Sequence, residues 1–478
     1  MKGKKLMSVL LCTAMAVGIS SCGNKQTANE GETPTLIWYV PGEKQADMST
    51  VMEAANAIIE PAIGAKLDLR FIDQGSYTEK MNMSMSSQEV FDLCFTGFVN
   101  PFDTTAKKGG YLSMNELLET TPDQWARIPE SLWEAGKING EIYAMPNYQV
   151  VSNWQIPFVY TDLIEECDLD LSAVKTADDL EILLEKIHEK HPEKYPWRVA
   201  NGPMLWGQDK ESVAAGVYVE TDDETLTAKT DIESESGLHT SQIIREWFKK
   251  GYIRSDSASV TDDNLDYVNG KYAIFQSTYK PSVEPELESR LGADVTPIFI
   301  GEAYVTRASC TATMTAISRT SPNPDKAIKL IELMNTNKEL YNIICYGIEG
   351  KHYTWLDDNH IKLDPASGYY LNASWKFGNQ FNAYLIEGME DDVWEQTIEM
   401  NNNAKKSPLL GFVFDPSAVS SEIAQVTAVS SEYAALYNGS REIDEFYDDY
   451  ISRMKAAGIE KIREEAQRQL DEYKKTLK

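Results

Sequence analysis

The sequence predicts an α/β protein with more than one domain and a helical C-terminus. The chain has 478 residues, more than one hydrophobic core usually organises. Its N-terminal part alternates strand-like and helix-like segments, an order that is typical of a parallel sheet covered by helices. Its last part, 442–475, has the apolar spacing of helices.

The predicted elements of the N-terminal part follow one another closely. A strand is predicted over 35–40, where an apolar and aromatic run stops at Pro41-Gly42. A helix is predicted over 48–63, because its apolar residues recur at helical spacing. The next predicted elements are a strand over 66–72, a helix over 77–86 and a strand over 91–96.

Later segments carry turn and helix signals. Asn139-Gly140 favours a tight turn between two extended arms. Thr176 is predicted to cap the N-terminus of a helix. The remaining predicted elements are a helix over 176–191, a helix over 241–250, a turn and strand over 268–275, an extended segment over 304–318, a helix over 325–336, and two helices within 442–475 that separate at Ala457-Gly458.

The first 22 residues have the pattern of a bacterial secretion signal. Three lysines precede the apolar stretch 6–18, which is too short for a membrane span of about 20 residues. Residues 19–22 resemble a lipobox, in which Cys22 becomes the N-terminus and carries a diacylglycerol. We therefore expect 1–21 to be a lipoprotein signal peptide and 22–34 a flexible tether on the extracellular face of the cell membrane. The alternative is an ordinary signal in which the cysteine occurs by chance.

The composition is acidic, with a formal net charge of −29. Such a surface repels nucleic-acid phosphates and anionic lipid headgroups, so we expect no nucleic-acid partner and no membrane contact other than the lipid anchor. The four remaining cysteines are far apart and lack metal-ligand spacing. We expect them to be buried free thiols, with disulfides as the alternative; they are Cys94, Cys167, Cys310 and Cys345.

Motifs for metals, cofactors and catalysis are weak. His188 and His191 are surrounded by lysines, which indicates a solvated helix end rather than a zinc site. The run 262–266 begins like a calcium loop, but Tyr267 replaces the glycine that the loop requires. The chain contains no G-x-S-x-G, Walker A or G-x-G-x-x-G pattern. We therefore expect no metal, no cofactor and no catalytic residue.

Three segments in a fixed order resemble extracellular solute-binding proteins of ABC importers. They are 139–146 (NGEIYAMP), 269–275 (NGKYAIF) and 312–338, which contains a strand, SPNPDKA and a helix. The C-terminal part, GFVFD at 411–415 followed by 422–475, resembles a domain of unassigned function in Gram-positive lipoproteins. The resemblance extends over essentially the whole mature chain.

The resemblance implies a two-lobed periplasmic-binding-protein-like fold of type II, in which hinge strands join two α/β lobes that close over a ligand. It also implies ABC permease subunits as partners, and a monomer is the expected state. The expected domains are lobe 1 at 35–147 and 313–350, lobe 2 at 148–312 and 351–410, and a C-terminal helical domain at 411–478.

The chain is rich in aromatic residues, with 10 tryptophans and 24 tyrosines. Flat rings can pack on the C–H faces of sugars, whose hydroxyls need amides, carboxylates or arginines as partners. This composition favours an oligosaccharide ligand, with a peptide or another small solute as the alternative. The candidate ligand contacts lie at strand ends and in glycine-containing loops; they are Trp38, Tyr39, Phe95, Thr96, Tyr148, Gln149, Tyr279, Tyr346, His352, Tyr353, Trp375 and Asn379.

Two other classes of protein compete with a transport receptor. The first is a secreted glycoside hydrolase, because 74 acidic residues could supply a carboxylate pair. The second is a surface adhesion or sensor protein, which would bind a polymer or a partner without lobe closure. Turnover of a sugar would favour the hydrolase, and binding without closure would favour the adhesin.

Overall fold

The computed structural model describes residues 33–122, 127–199, 210–260, 263–371 and 373–477. The predicted signal peptide, Cys22 and most of the predicted tether lie outside the described residues, as does Asp262. Within the described ranges, none of the helices has both the length and the apolar character that crossing a membrane requires.

The sheet of lobe 1 brings three strand ends to one edge. Its five strands lie in the order Lys66–Ile72, Thr35–Pro41, Leu93–Gly97, Thr313–Ile317 and Met145–Pro146. The first three are parallel, which confirms the predicted α/β order, and Thr313–Ile317 is antiparallel to both of its neighbours. Pro41, Gly97 and Pro146 therefore mark the same edge of the sheet.

Both faces of this sheet are buried, because helices cover each of them. In the first strand Leu36, Trp38 and Val40 enter one apolar cluster, whereas Tyr39 enters another on the opposite face. The helices of lobe 1 are Met48–Ile63, Gln74–Ser86, Phe102–Lys107, Asn115–Leu118, Glu130–Gly136, Arg307–Cys310, Pro324–Thr336, Lys338–Tyr346 and Val393–Asn403, with 3-10 turns at Ser374–Lys376 and Gln380–Asn382. The hairpin Lys137–Ile138 and Glu141–Ile142 confirms the predicted Asn-Gly turn, since both turn residues have positive φ.

The segment 351–404 also belongs to lobe 1, so the prediction that places 351–410 in lobe 2 is wrong. Ile361, Phe377 and Ala404 are buried in the main cluster of lobe 1. The prediction fails because strands of two to four residues carry no readable periodicity and their packing partners are distant in sequence. These strands are Tyr353–Trp355, His360–Leu363 and Leu385–Ile386.

Three short strands connect the lobes and form what we call the hinge sheet. Ser152–Asn153 leads from lobe 1 to lobe 2, Tyr304–Val305 leads back, and Lys405–Lys406 leaves lobe 1 again. The hinge strands implied by the resemblance are therefore confirmed. Val305 is already buried in the core of lobe 1, so the return crossing lies earlier than the predicted boundary at 312–313.

Lobe 2 is built on a mixed four-stranded sheet with its own core. The strands lie in the order Val295–Pro297, Gln155–Tyr160, Tyr272–Thr278 and Tyr195–Trp197. Tyr272–Thr278 is antiparallel to Gln155–Tyr160 and parallel to Tyr195–Trp197. The helices of lobe 2 are Thr161–Glu166, Leu180–Lys190, Glu235–Lys249, Asn264–Val268 and Val283–Leu291, with a 3-10 turn at Leu171–Ala173.

Two local predictions are wrong. The helix predicted to begin at Thr176 begins at Leu180, because the Thr176 hydroxyl donates to the Asp179 carboxylate at 2.9 Å instead of capping the helix. The segment 304–318, predicted as extended, is interrupted by the helix Arg307–Cys310. Thr306 stabilises this helix as its N-cap, since its side-chain oxygen accepts from the next turn.

The C-terminal helices share a core with strands from the middle of the chain, and we call this assembly the C-terminal unit. Val217 and Val219 lie in one cluster with Ile462 and Leu470. The helices confirm the predicted pair with its break at Gly458, whose φ is 94°. The elements of the unit are the strands Lys210–Ala214, Val217–Glu220 and Lys229–Thr230, the helices Ser420–Glu432, Ala435–Asn438, Ile443–Ala457 and Ile459–Tyr473, and 3-10 turns at Asp231–Glu233 and Pro416–Ala418.

Candidate ligand-binding cleft

The strand-end edge of the lobe 1 sheet faces the hinge. The chain runs from Pro146 through 147–151 to the hinge strand Ser152–Asn153, and it returns from Tyr304–Val305 to the start of Thr313–Ile317. This edge is therefore the side of lobe 1 next to lobe 2. Ligands of open α/β sheets bind beyond the carboxyl ends of the strands, which makes this edge the candidate floor of the cleft.

Gly97 shapes this edge. Its φ is 141°, and a Cβ at this position would lie 2.0 Å from the carbonyl oxygen of Ala312. The close approach lets the Phe98 N–H donate to the same Ala312 oxygen at 2.8 Å. Phe98 is consequently held on the surface, with 51% of its side chain exposed.

Phe98 is part of an aromatic group at the carboxyl end of Leu93–Gly97. Its ring centroid lies 5.7 Å from that of Trp375 and 5.7 Å from that of Phe95, and Phe95 and Trp375 are 6.4 Å apart. Phe95 is buried beneath the other two, which are partly accessible. The arrangement presents flat aromatic surface at the edge that faces lobe 2.

Polar groups surround the aromatic group. Gln149 donates from Nε2 to Thr313 Oγ1 at 2.8 Å, and its backbone oxygen accepts from Asn401 Nδ2 at 2.8 Å. Lys376 donates from Nζ to the Pro41 oxygen at 2.8 Å and lies 5.1 Å from the centroid of the Trp375 ring. Burial lowers the pKa of the Lys376 ammonium.

Lobe 2 presents a second aromatic group beside the hinge sheet. Trp154 follows the hinge strand Ser152–Asn153 and lies 5.6 Å from Tyr279 and 5.2 Å from Phe299, measured between ring centroids. Trp154 Nε1 donates to the Ile300 oxygen, and the Tyr279 N–H donates to the Trp154 oxygen. Phe299 keeps 49% of its side chain exposed.

Two pockets extend from the edges of the lobes to the C-terminal unit. The first has a volume of about 770 Å³ and lies between the lobe 1 edge at Gly97-Phe98 and the C-terminal unit. The second has a volume of about 540 Å³ and lies between the lobe 2 edge at Arg198 and the helices near Ser430 and Tyr437. Arg198 is held there by the Asp263 carboxylate, to which Nε donates at 2.9 Å.

Four of the twelve predicted contact residues lie at these aromatic and polar groups. Gln149 and Trp375 line the lobe 1 edge, Phe95 supports it from below, and Tyr279 belongs to the lobe 2 group. The structure thus places these four at the lobe edges beside the hinge.

Eight predicted contact residues are instead buried within lobe 1. The Tyr39 hydroxyl donates to Glu89, the Thr96 hydroxyl donates to the Asn100 oxygen, and the Asn379 side chain accepts from Phe381 N–H. Core packing and internal hydrogen bonds occupy these side chains in the structure, and their assignment as ligand contacts stays a prediction; the set is Trp38, Tyr39, Thr96, Tyr148, Tyr346, His352, Tyr353 and Asn379.

The sequence prediction missed four residues of these groups, Phe98, Trp154, Phe299 and Lys376, of which Phe98 and Phe299 are exposed and Lys376 is buried. Phe98 follows a strand that ends at Gly97, whereas the predicted strand ends at 96. The candidate contacts include only residues at the predicted end, and Phe98 was therefore missed. Lys376 directly follows Trp375, and only its burial distinguishes it from a surface lysine. Trp154 could have been found from its place just after the turn and hinge region, but Phe299 carried no signal of its own.

The described part of the chain contains no group of three or more histidine, cysteine or acidic side chains arranged to hold a metal ion. The four cysteines outside the N-terminal segment are free and buried, as expected. Burial raises the pKa of the Cys310 thiol to about 12, so this sulfur is an apolar core group rather than a nucleophile.

Two α/β lobes, a three-stranded hinge and aromatic groups on both sides of it define a ligand-binding protein that encloses its solute between lobes. Residues 44–340 match the family model of bacterial extracellular solute-binding proteins, and residues 408–475 match that of a domain of unknown function, DUF3502. The chain therefore belongs to the bacterial extracellular solute-binding protein family.

Known relatives extend over nearly the whole chain. It is 28% identical to a carbohydrate ABC transporter substrate-binding protein of Streptococcus pneumoniae, over 97% of each chain. Its fold is similar to the crystal structure of the N-glycan transport solute-binding protein NgtS from Streptococcus pneumoniae, with a TM-score of 0.85, 26% identity, and coverage of 93% of this chain and 100% of the other. The complex of NgtS with Man5GlcNAc matches with a TM-score of 0.73 at 25% identity, over 93% of this chain and 99% of the other.

Proposed function

We propose that this chain is a lipid-anchored extracellular receptor that captures an oligosaccharide between its lobes and delivers it to the permease subunits of an ABC importer. The observation that carries the proposal is the accessible Phe98–Trp375 pair at the edge of lobe 1 that faces lobe 2. Its rings can pack on the C–H faces of a sugar while Gln149 and Lys376 pair with hydroxyls. The carbohydrate and N-glycan relatives support this substrate class.

Capture is proposed to proceed by closure about the hinge sheet. A ligand that contacts both lobes stabilises the closed arrangement by its differential affinity for that state. NgtS supports this step, because the same protein matches our chain with a TM-score of 0.85 in one crystal structure and of 0.73 in its complex with Man5GlcNAc. A lower score for the same protein in its glycan complex is the change expected when its lobes take a different arrangement.

Membrane attachment and the absence of turnover are further parts of the proposal. Cys22 is the proposed lipid attachment site, which keeps the receptor beside its permease on the extracellular face. The solute is proposed to leave unchanged, since the family is one of binding proteins. Retention in the membrane fraction that is lost in a Cys22→Ala variant would test the anchor.

The primary test is ligand binding by a soluble chain that begins at Thr33. Thermal melts and calorimetry would be run with manno-, gluco-, galacto- and xylo-oligosaccharides, monosaccharides, peptides and amino acids. We expect one class of oligosaccharide to stabilise the protein by about 2.7 kcal/mol at 100 times its Kd. Chromatography should recover the sugar intact. Binding of peptides alone, or consumption of the sugar, would contradict the proposal.

A matched pair of variants locates the site. Phe98→Ala should weaken the binding of that sugar about tenfold or more, because losing an aromatic contact costs about 1.5 kcal/mol in addition to the apolar area. Met83→Ala is the control, since Met83 is 61% exposed on the helix Gln74–Ser86 of the same lobe. Equal affinities of the two variants would place the sugar elsewhere.

A further inference from the structure

The pocket of about 770 Å³ lies between lobe 1 and the C-terminal unit. Lobe 1 contributes Phe98 and Asp103 to its wall, and the C-terminal unit contributes Glu211, Phe412 and Phe414. Phe98 also contacts Trp375, so the pocket and the proposed sugar site share this residue. Its walls combine aromatic rings with carboxylates, as a carbohydrate subsite requires.

Arg307 lines this pocket and has one hydrogen-bond donor without a partner among the described residues. It follows the hinge strand Tyr304–Val305, and only 7% of its surface is exposed. Its Nη2 donates to Asp103, and its backbone N–H donates to Glu211 Oε1 at 3.2 Å. Its Nη1 is buried and has no hydrogen-bond partner among the described residues. A buried donor without a partner is costly, and an oxygen atom brought within hydrogen-bond distance of Nη1 would remove that cost.

The charges around Arg307 indicate a neutral acceptor. Asp103 pairs with the guanidinium, and the Glu211 carboxylate accepts from Ser407 Oγ as well as from the Arg307 backbone. Lys107 lies at the rim with Lys108 and donates to the Phe414 oxygen at 2.9 Å. Because Asp103 already balances the charge of the guanidinium, the remaining donor suits a neutral oxygen of a hydroxyl or an amide better than an anion.

We propose that this pocket is a second sugar subsite, in which Arg307 Nη1 donates to a hydroxyl or acetamido oxygen of a long or branched oligosaccharide. This proposal rests on the proposed function, because it concerns the distal part of the same ligand. The C-terminal unit then acts as a third wall of the binding site, with Phe414 opposite lobe 1. The subsite makes affinity depend on oligosaccharide size.

The test compares two sugars of one series on the mature chain, Man5GlcNAc and Man1GlcNAc. Calorimetry with Arg307→Met should show at least a tenfold loss of affinity for the larger sugar and less than a threefold loss for the smaller one. Phe414→Ala changes the opposite wall without touching the hinge and should give the same size-selective loss, so it tests the subsite even where Arg307→Met does not fold. Leu265→Ala, 76% exposed in lobe 2, is the control.

The outcomes separate the two proposals. If the wild-type chain binds neither these glycans nor any other oligosaccharide, the proposed function fails. If the wild-type chain binds both sugars and the variants lose affinity equally for both, or for neither, the subsite is wrong while the receptor function stands. If another oligosaccharide series binds instead, its longest and shortest members replace the two glycans under the same criteria.

Discussion

Lys376 is a charged group kept at the strand-end edge at a cost in stability. The side chain is 8% exposed, and burial lowers the pKa of its ammonium. The hydrogen bond to the Pro41 oxygen and the nearby Trp375 ring partly offset that cost. A charged side chain that lowers the stability of the ligand-free protein, and that lies at a cleft, is typical of a residue retained for ligand binding.

The substitution Lys376→Met should therefore separate stability from affinity. The variant loses one hydrogen bond, worth about 1 kcal/mol, but no longer buries an ammonium, so its melting temperature at pH 7 should equal or exceed that of the wild type. Its affinity for the bound sugar should fall about tenfold. Calorimetry and thermal melts measure both quantities, with Lys362→Met, an exposed lysine of lobe 1, as control. A large loss of stability would contradict a binding role.

The pH dependence of stability gives an independent check on Lys376. Its folded pKa is lowered, so between that value and the ordinary lysine pKa the unfolded chain binds more protons than the folded chain. The free energy of unfolding should consequently rise with pH as it approaches about 10.4, and it should be level below the folded pKa. The difference in the free energy of unfolding between the wild type and Lys376→Met should rise with pH in the same way. A difference that does not change with pH would contradict the burial of a charged ammonium.

Gly97 is required by the backbone rather than by a ligand. A methyl group there would combine a positive φ with a Cβ 2.0 Å from the Ala312 oxygen. Gly140 also has a positive φ, but open space surrounds its missing Cβ. We expect Gly140→Ala to cost about 1 kcal/mol of unfolding free energy and Gly97→Ala clearly more, with displacement of Phe98 and weaker sugar binding. Equal losses of unfolding free energy for the two variants in urea denaturation would show that the backbone at Gly97 accommodates a Cβ without strain.

At the scale of elements, the helix Val393–Asn403 fixes the first hinge strand. Asn401 Oδ1 accepts from the Val151 N–H at 2.8 Å and from the Ser152 N–H at 3.1 Å, while its Nδ2 donates to the Gln149 oxygen at 2.8 Å. One buried amide thereby connects lobe 1 to the backbone that crosses to lobe 2. The same amide positions Gln149, the polar neighbour of the aromatic group.

Asn401→Leu should loosen this connection. It leaves buried backbone donors without partners, and each costs about 1–3 kcal/mol, so the melting temperature should fall by several degrees. Sugar affinity should fall as well, because the hinge strand loses its fixed direction. Asn402→Ala is the matched control, since its side chain is exposed on the same helix. If the backbone amides of 151–152 exchanged hydrogen at the same rate in Asn401→Leu as in the wild type, Asn401 would not be what fixes the hinge strand.

Elements whose periodicity reflects local burial could be predicted from the sequence. The helix Met48–Ile63 buries Val51, Ala55, Ile59 and Ile63 along one stripe, which the apolar spacing indicates directly. The site was harder to predict, because the predicted strand ends at buried Thr96, whereas the observed strand ends at Gly97 and the exposed Phe98 follows it. Arg307 and Asp103 are 204 residues apart, and no local pattern relates them. Contacts of this kind arise only from the tertiary fold.

At the scale of the whole molecule, the C-terminal unit is tied to both lobes. Arg245 of lobe 2 donates to the Gly439 oxygen at 2.7 Å, and Lys107 of lobe 1 donates to the Phe414 oxygen. Its strands enter from lobe 2, between Tyr195–Trp197 and the helix Glu235–Lys249. The unit is therefore formed by two distant segments of the chain and completes its core only when both are present.

Because both chain segments contribute to one core, a substitution in that core should destabilise the strands and the C-terminal helices together. Ile462 is fully buried in the cluster that contains Val217 and Val219, so Ile462→Ala should cost about 2–5 kcal/mol within the unit. Hydrogen exchange should then accelerate together in 217–220 and in 420–470, while Tyr272–Thr278 of lobe 2 keeps its protection. Leu477→Ala, 56% exposed at the end of the same tail, should change neither segment. If only the helices lost protection, the strands would belong energetically to lobe 2, and the C-terminal domain would fold as the separate unit that the sequence predicts at 411–478.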